Sequence, residues 1–331
     1  MIIRMTPRCA VIALLVSAAA TGAARAAAPA CNTRPAAAAS LQRLTDVMAT
    51  GRYVAYQPTA IKIHNGVATV ADEASIEADL RVLRPYFDGL ITYGSGNGAE
   101  RVADVAVRLG FRALILGVWD LQGTQELDNA LAAAKRNPLR VVGLSLGNER
   151  IFAGETDYAR LAQIVAAVRN RAPGLAYTTT EPFHLLQVPA AAPLLANVDF
   201  LLLNVHPAFQ PWFREAPDRN AAQFVTNVLR DTAALYCGPL LVKETGVPTA
   251  PAQLGFTAAR QASFYRQLQQ QLPPSRTRAF AWFSAFDAPW RVTDSHPVTG
   301  PQPQEGSWGL FDEQRRPKPV VREIAALKPT P

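Results

Sequence analysis

The sequence predicts an α/β fold, a single (β/α)8 TIM barrel, and three observations lead to this prediction. Eight short runs rich in Val, Ile and Leu recur along the chain, as expected of parallel strands that are buried on both faces. Stretches with apolar residues at every third or fourth position separate most of these runs, which indicates crossover helices. No Gly/Ser-rich linker interrupts the alternation after residue 39. One barrel therefore explains the chain better than two domains.

The predicted strands share continuous apolar character. They are Tyr53–Tyr56, Gly89–Tyr93, Ala113–Val118, Val141–Leu146, Ala176–Thr180, Phe200–Val205, Leu240–Val242 and Ala279–Phe286. The predicted helices are Ile76–Leu83, Ala99–Leu109, Gln125–Lys135, Tyr158–Arg169, Ala221–Tyr236 and Ala259–Gln270. A loop is expected over the Pro-rich stretch from Pro297 to Pro303, and a final helix is expected to begin near Pro319.

Residues 1–26 are predicted to be a signal peptide. Arg4 and Arg8 precede an uncharged stretch from Cys9 to Gly22, and residues 24–26 fit the small-x-small pattern of a cleavage site. The chain is therefore expected to be exported, to the periplasm or to the medium. Residues 27–50 then form an N-terminal segment and residues 51–331 the catalytic barrel. No later segment offers about 18 apolar residues without a charge, so no membrane span is predicted.

The net charge and the spacing of the histidines argue against two classes of partner, nucleic acids and metal ions. Without the predicted signal peptide the net charge is about +4, and no basic run carries interleaved aromatic residues, so no nucleic-acid partner is expected. The four histidines, which lack the short spacing of metal ligands, are His64, His184, His206 and His296. No metal or other cofactor is therefore predicted, and the protein is expected to be a monomer.

Two cysteines, Cys31 and Cys237, remain after the predicted cleavage. An oxidising compartment would allow them to form a disulfide, which would hold the N-terminal segment beside the strand that precedes Glu244. Two separate thiols are the alternative, because spacing alone does not fix a pairing.

Two glutamates stand at the ends of predicted strands: Glu149 follows Val141–Leu146, and Glu244 follows Leu240–Val242. In a (β/α)8 barrel the residues at the C-terminal ends of the strands line the active site, so both carboxyl groups should face one cleft. Such a pair suggests glycoside hydrolysis, in which one carboxyl group protonates the leaving oxygen and the other stabilises or attacks the anomeric carbon. At a separation of about 5 to 5.5 Å the second group is a nucleophile and configuration is retained.

The residues beside the two glutamates have functional and structural explanations. Either glutamate could instead cap a helix or form a surface ion pair. The amide of Asn148 could hydrogen-bond a sugar 2-hydroxyl, because it can both donate and accept. Lys243 alternates with Glu244 along the strand and is therefore expected to point out of the barrel, toward a helix.

Eight short segments occur in an order that matches a known family. They are Phe87–Gly94, Leu116–Trp119, Gly147–Glu149, Thr179–Pro182, Val205–Pro207, Glu244–Thr249, Phe286–Trp290 and Glu305–Leu310. Taken together they resemble glycoside hydrolase family 17, the β-1,3-glucanase and β-glucan transglycosylase family, in its bacterial form. The resemblance implies a clan A barrel and a retaining β-glucan hydrolase that acts on β-1,3-glucan, with Glu149 as acid/base and Glu244 as nucleophile.

The same resemblance implies roles in substrate binding for further residues. Tyr93 would lie near the reactive sugar and hydrogen-bond the nucleophile, although a core aromatic is the alternative. Glu181 would bind sugar hydroxyls or cap a helix that begins at Pro182. His206 would orient a carboxylate or touch the substrate, unless it is a core histidine. Glu305 is placed in the substrate site because it lies in a matched segment.

Aromatic side chains could stack on the apolar face of a sugar. The candidates are Trp119, Phe209, Trp212, Trp290 and Trp308, and Trp290 is the preferred platform because Asp287 and Pro289 place it in a loop. Core packing is the commoner role of a single tryptophan.

Three positions depart from the family pattern: Val247 and Phe183 each replace a tryptophan, and Ala288 replaces a glutamate. The two catalytic carboxylates are unaffected, but the linkage and chain length of the substrate stay open. A β-glucan transglycosylase with the same residues, in which a sugar replaces water as acceptor, is one alternative function. A catalytically weakened glucan-binding barrel is another. An aldolase-like barrel would need a lysine or a phosphate-binding Gly-rich loop near the last two strands. Lys243 is the only candidate, and its predicted orientation away from the centre argues against this chemistry. The expected partner is therefore an oligo- or polysaccharide.

Overall fold

The computed structural model describes residues 34–294 and 302–326. Within them eight parallel strands, each hydrogen-bonded to its neighbours in the chain, close into a barrel, which confirms the predicted fold class. The predicted signal peptide and most of the Pro-rich stretch lie outside the described residues. In the part of the chain that the structure describes, no helix is long and apolar enough to cross a membrane.

The strands of the described residues fall into the barrel and one small antiparallel hairpin, formed by the second and third strands. They are β1 (Tyr53–Tyr56), β2 (Ile63–His64), β3 (Val67–Ala68), β4 (Gly89–Thr92), β5 (Ala113–Val118), β6 (Val141–Asn148), β7 (Ala176–Pro182), β8 (Leu201–Asn204), β9 (Leu240–Glu244) and β10 (Arg278–Trp282). All eight predicted strands are present. Glu149 thus follows the fourth barrel strand and Glu244 ends the seventh.

The α-helices of the described residues lie mostly on the outside of the barrel. They are α1 (Ala38–Thr50), α2 (Glu73–Leu83), α3 (Val102–Arg108), α4 (Gln125–Arg136), α5 (Tyr158–Arg169), α6 (Phe183–Leu186), α7 (Ala192–Leu195), α8 (Asp218–Ala233), α9 (Ala258–Gln271), α10 (Arg291–Asp294) and α11 (Val320–Ala326). A 3-10 turn over Ala99–Arg101 precedes α3, and the final helix begins one residue after Pro319.

The last barrel strand is shorter than predicted. It ends at Trp282, whereas the apolar run continues to Phe286. The residues after Trp282 are apolar for a different reason: they pack against the segment that follows residue 302. The Phe283 ring lies 5.2 Å from that of Trp308, and Phe286 forms an isolated bridge with Phe311.

Helix α1, which the sequence did not predict, closes the N-terminal end of the barrel. Its buried Leu44, Val47 and Met48 join one apolar cluster with inward-facing residues near the starts of the strands, such as Ile91 and Leu241. Burial of this helix face keeps water out of the barrel floor. The predicted division at residue 51 stays a prediction, but the barrel core includes residues that precede it.

Hydrogen bonds from two side chains, Ser40 and Arg34, fix the position of α1. The Ser40 hydroxyl donates to the carbonyl of Val142 at 2.7 Å, inside the barrel. Before the helix, the guanidinium of Arg34 donates to Asp199 Oδ1 at 2.7 Å and to the carbonyl of Leu175 at 2.8 Å. The N-terminal segment is therefore attached to the floor of the barrel by both apolar and polar contacts.

Met48→Ala is expected to destabilise the protein by about 2 to 5 kcal/mol, because it leaves a cavity in the core that α1 covers at this end. Met48 is fully buried. The measurement is the free energy of unfolding in denaturant, and the control is Gln42→Ala at an exposed position of the same helix. Equal stability of the two variants would contradict the floor role of α1.

Candidate active site

Glu149 and Glu244 lie near each other at the C-terminal end of the barrel, where the charge of Glu244 acts on Glu149, and Asn204 lies beside both. Asn204 pairs in register with Glu244, and its side-chain amide donates to Glu149 Oε1 at 2.7 Å. The sequence analysis did not identify Asn204. The sequence does indicate a role for it, because it is a polar residue near the end of the otherwise apolar run Phe200–Val205. Barrel enzymes place functional groups at such strand ends.

The backbone around Glu149 is unusual. Glu149 has φ of 56° and Gly147 has φ of 82°, so both adopt the left-handed conformation, which is uncommon for a residue with a side chain. The pairing of β6 with β7 also changes register between Ser145 and Asn148. A hydrogen bond from the Glu149 N–H to the carbonyl of Thr180, 2.8 Å long, holds the resulting turn. Such an irregularity redirects side chains at the end of a strand.

The two carboxyl groups have pKa values shifted in opposite directions. Burial raises the pKa of Glu149 above its usual range, and the negative charge of Glu244 raises it further, against the hydrogen bond from Asn204. Burial alone would also raise the pKa of Glu244, but the hydrogen bond with His206 and the charge of Lys243 outweigh it and lower this pKa. Glu149 therefore holds a proton more strongly than Glu244 does, which is the direction of difference that glycosidases use between their acid and their nucleophile.

Lys243 lies inside the barrel, so its predicted outward orientation was wrong. Its Nζ atom is 2.6 Å from Asn148 Oδ1 and 3.7 Å from Glu244 Oε1. Strand alternation from the inward-facing Leu241 already places Lys243 inside. The pairing of β9 with β8 then skips Lys243, because Val242 pairs with Leu203 and Glu244 with Asn204. This one-residue bulge allows two consecutive side chains of β9 to face the cleft.

Tyr93 and His206 both lie beside Glu244. His206 Nε2 is 3.3 Å from Glu244 Oε2, a distance that fits the predicted orientation of a carboxylate. Burial raises the pKa of Tyr93, as does the nearby charge of Glu244. The Tyr93 hydroxyl and Glu244 Oε1 are buried without a hydrogen bond of normal geometry to any described residue. The two side chains are nevertheless close enough for a hydrogen bond with Glu244 to contribute to the raised pKa of Tyr93, and the Tyr93–Glu244 hydrogen bond stays a prediction.

Glu181 supports the loop that carries Glu149 and does not cap a helix. Its two carboxylate oxygens accept the backbone N–H groups of Ile151 and Phe152 at 2.9 and 3.2 Å, and its side chain is fully buried. Burial raises the pKa of Glu181 to about 7 despite these hydrogen bonds. The geometry gives Glu181 a positioning role, and its contact with sugar hydroxyls stays a prediction.

The remaining predicted residues differ in their access to the cleft. Trp290 is half-buried and lines a cavity together with Tyr93 and Arg291. Trp308 is 1% exposed and packs edge-on against the ring of His206, so it offers no open face to a sugar. Glu305 is buried in a 3-10 turn, and its role in substrate binding stays a prediction.

Two of the other aromatic candidates are open to solvent and one is not. Trp119 is 47% exposed and Phe209 is 51% exposed, and both follow strand ends on the catalytic rim. Trp212 is partly buried, with its ring 5.6 Å from that of Phe224. Phe152 was not singled out from the sequence, yet it is 61% exposed three residues after Glu149. Exposed aromatic rings therefore follow three of the strands that carry or flank the carboxylate pair, namely β5, β6 and β8.

No group of three or more His, Cys, Asp or Glu side chains within residues 34–294 and 302–326 could hold a metal ion. Cys237 is disulfide-bonded, and its partner lies outside the described residues. The predicted pairing with Cys31 stays a prediction.

Comparisons with known proteins agree with this geometry. A family model described as the BtgE/BtgC glycoside hydrolase domain matches residues 54–309. A protein of Aspergillus niger, named as the glucan endo-1,3-beta-glucosidase btgC, is 24% identical over 304 residues. That alignment covers 81% of this chain and 43% of the relative, so the chain spans less than half the length of that protein.

Solved structures show the same fold. The glycoside hydrolase family 17 beta-1,3-glucanosyltransferase from Rhizomucor miehei has a TM-score of 0.61 and 22% identity, over 81% of this chain and 95% of that chain. A GH2 beta-galacturonidase from Eisenbergiella tayi has a TM-score of 0.61 and 14% identity, over 84% and 50%. The family model covers the barrel from β1 to the segment after residue 302, including both carboxylates. This chain therefore belongs to the BtgE/BtgC glycoside hydrolase family, in agreement with the predicted membership of glycoside hydrolase family 17.

Proposed function

We propose that this protein is a retaining β-glucan hydrolase that cleaves β-1,3-glucan. The observation that carries the proposal is the pair of neighbouring carboxyl groups whose pKa values are shifted apart, Glu149 upward and Glu244 downward. A double displacement needs one protonated acid and one ionised nucleophile in the same cleft. The name of the Aspergillus niger relative supports β-1,3-glucan as the substrate.

The first half-reaction follows from this arrangement. A Glu244 carboxylate oxygen attacks the anomeric carbon, and the bond between that carbon and the glycosidic oxygen breaks. Glu149 gives its proton to the departing oxygen, so one half of the glucan leaves as an alcohol and the other becomes an ester on Glu244. His206 and Lys243 stabilise the Glu244 carboxylate before the attack.

The second half-reaction regenerates both groups. Glu149, now ionised, takes a proton from the acceptor hydroxyl, whose oxygen attacks the anomeric carbon and releases Glu244. Water as acceptor gives hydrolysis, and a sugar hydroxyl gives transglycosylation. The exposed ring of Phe152, 6.4 Å from that of His184, gives an acceptor sugar a surface near Glu149. This observation favours transglycosylation as the second candidate function.

Product analysis separates the candidate functions. The protein without residues 1–26 is incubated with linear β-1,3-gluco-oligosaccharides, and the products are measured by mass spectrometry. Shorter products alone would support the hydrolase, and products longer than the substrate would support the transglycosylase. Binding without turnover would overturn both and favour the weakened glucan-binding barrel.

The rate is expected to depend on pH in a bell shape. Activity should fall as the pH drops through the lowered pKa of Glu244, because the nucleophile becomes protonated. It should also fall as the pH rises through the raised pKa of Glu149, because the acid loses its proton. The measurement is kcat/KM against pH on an oligosaccharide. A profile with no basic limb would contradict the role of Glu149.

We also propose that the protein acts as a monomer outside the cytoplasm, in the periplasm or in the medium. The signal-peptide pattern of residues 1–26 and the disulfide at Cys237 support export, because disulfides persist in oxidising compartments. Cell fractionation and size-exclusion chromatography test the two statements. Protein recovered only from the cytoplasm, or eluting as a dimer, would overturn them.

A further inference from the structure

Lys243 is a buried cation beside Glu244, and it has no contact with substrate in the proposed double displacement. Its side chain is 1% exposed, which is rare for lysine unless the charge has partners. Three groups surround Nζ: Asn148 Oδ1 at 2.6 Å, Glu244 Oε1 at 3.7 Å and the ring of Tyr93 at 4.1 Å from its centroid. The shortest of these contacts is to Asn148.

The chemistry of that contact fixes the orientation of an amide. An ammonium group has three donors and no acceptor, whereas an asparagine side chain presents an oxygen acceptor on one side and an NH₂ donor on the other. The atom of Asn148 that faces Lys243 must therefore be Oδ1. Its Nδ2 then points away and has no acceptor among the described residues, so it is free to donate to a substrate.

A sugar in the cleft would meet this donor. Asn148 directly precedes Glu149 and shares the irregular end of β6. A donor at this position suits the 2-hydroxyl of the sugar whose anomeric carbon is attacked, where a hydrogen bond strengthens as the transition state forms. A flipped amide would instead present Oδ1, and the 2-hydroxyl would have to donate to Asn148 rather than to Glu244.

We propose that Lys243 is a positioning residue that holds the Asn148 amide with its NH₂ group toward the sugar 2-hydroxyl. It acts through Asn148 and does not touch the substrate. The inference rests on the proposed glycosidase function, which the chain can have without it. It also explains why a charge is kept in a site where an apolar residue would pack at lower desolvation cost.

A double-mutant cycle tests the proposal. Lys243→Met keeps the length of the side chain and removes the donor, and it is expected to lower kcat/KM on a β-1,3-gluco-oligosaccharide by roughly 10- to 100-fold. Asn148→Ala should cost at least as much. All variants are compared at a pH above the acid limb, where Glu244 is ionised in each of them. The double variant should there be no worse than Asn148→Ala within about twofold, because at such a pH the lysine affects the substrate only through the amide. Losses that multiply would overturn the proposal.

A substrate without the 2-hydroxyl provides a second test. With a nitrophenyl β-laminaribioside, Lys243→Met is expected to show the same loss as with the oligosaccharide. With the analogue that lacks the 2-hydroxyl on the sugar attached to the nitrophenyl group, the variant should match the wild type within about twofold. A purely structural lysine would cost the same factor on both substrates, and that result would overturn the inference.

Several charged groups and one phenol face Lys243, and they define a pH readout. They are Glu244 on β9, Glu149 after β6, Arg291 after β10 and Tyr93 after β4, and the imidazole of His206 after β8 contacts Glu244 from the other side of its carboxylate. The positive charge of Lys243 lowers the pKa of Glu244, so Lys243→Met should move the acid limb of the kcat/KM profile to higher pH. Lys243→Arg, which keeps the charge and the donors, should leave the limb in place and recover part of the activity.

Controls separate the possible failures. Lys135→Met changes an exposed lysine of α4 and is expected to leave activity unchanged. Thermal melting of each variant shows whether it folds. If Lys243→Met does not fold, the same kinetic comparisons are made with Lys243→Arg. If the wild type cleaves no oligosaccharide, the proposed function fails. If it cleaves and the double-mutant cycle is additive, only the inference about Lys243 fails.

Discussion

Replacing Glu244 with Gln is expected to lower kcat on β-1,3-gluco-oligosaccharides by at least about 10⁴-fold, while the protein stays folded. The amide cannot form the glycosyl ester, so no other group of the site completes the first half-reaction. Folding should survive because Gln has almost the same shape and can still accept a hydrogen bond from His206. Initial rates and circular dichroism of the purified variant check the two statements.

Covalent labelling makes this prediction specific to the nucleophile. An activated 2-fluoro β-glucoside slows both half-reactions, so the ester should accumulate and be found by mass spectrometry of peptides that contain Glu244. Glu73→Gln is the matched control, because Glu73 is an exposed residue of α2 whose partner is the surface Arg108. A label on another residue, or full activity of Glu244→Gln, would refute the assignment.

Replacing Glu149 is expected to produce a loss that depends on the leaving group. With an oligosaccharide, Glu149→Ala should lower kcat/KM by about 10²- to 10⁴-fold, because the departing alkoxide no longer receives a proton. With a dinitrophenyl glycoside, whose leaving group needs no proton, the first half-reaction should remain fast. The glycosyl-enzyme should then accumulate, since no base activates the water.

Azide completes the test of Glu149. This small anion can occupy the space left by the removed side chain and attack the glycosyl-enzyme without a base. Added azide should therefore restore turnover of Glu149→Ala and give a β-glycosyl azide, which shows retention of configuration. Glu73→Ala with azide is the control. Equal losses on both leaving groups, without rescue, would make Glu149 a structural residue.

The barrel was predictable because its strands are buried on both faces and its helices on one. Those two patterns identify elements such as β5 and α5 to the residue. Helix α1 was missed because it follows an Ala-rich segment and its N-cap, Ala37, has no side chain that could bond to the first turn. Helix α1 is stabilised by its contacts with barrel strands that are distant in the sequence. A local sequence pattern cannot reveal contacts of this kind.

Placement of the two carboxylates was also predictable, since both end an apolar run. The simultaneous inward orientation of Lys243 and Glu244 was not, because two consecutive side chains face the cleft only through a register change between β8 and β9, which are separated along the chain. The role of Glu181 depends likewise on its hydrogen bonds to the loop after Glu149. Sequence patterns thus located the catalytic rim, whereas the contacts between neighbouring strands decided what each side chain does there.

The positive φ angle of Glu149 lowers the stability of the protein, whereas the proposed activity requires the Glu149 side chain. A residue with a β-carbon costs about 1 to 2 kcal/mol more in this conformation than glycine does. Selection of variants by melting temperature alone would therefore tend to replace the proton donor with glycine. Mutagenesis that aims to raise the stability of this barrel must therefore keep Glu149 unchanged and place the stabilising substitutions elsewhere, for example in the loops far from the rim.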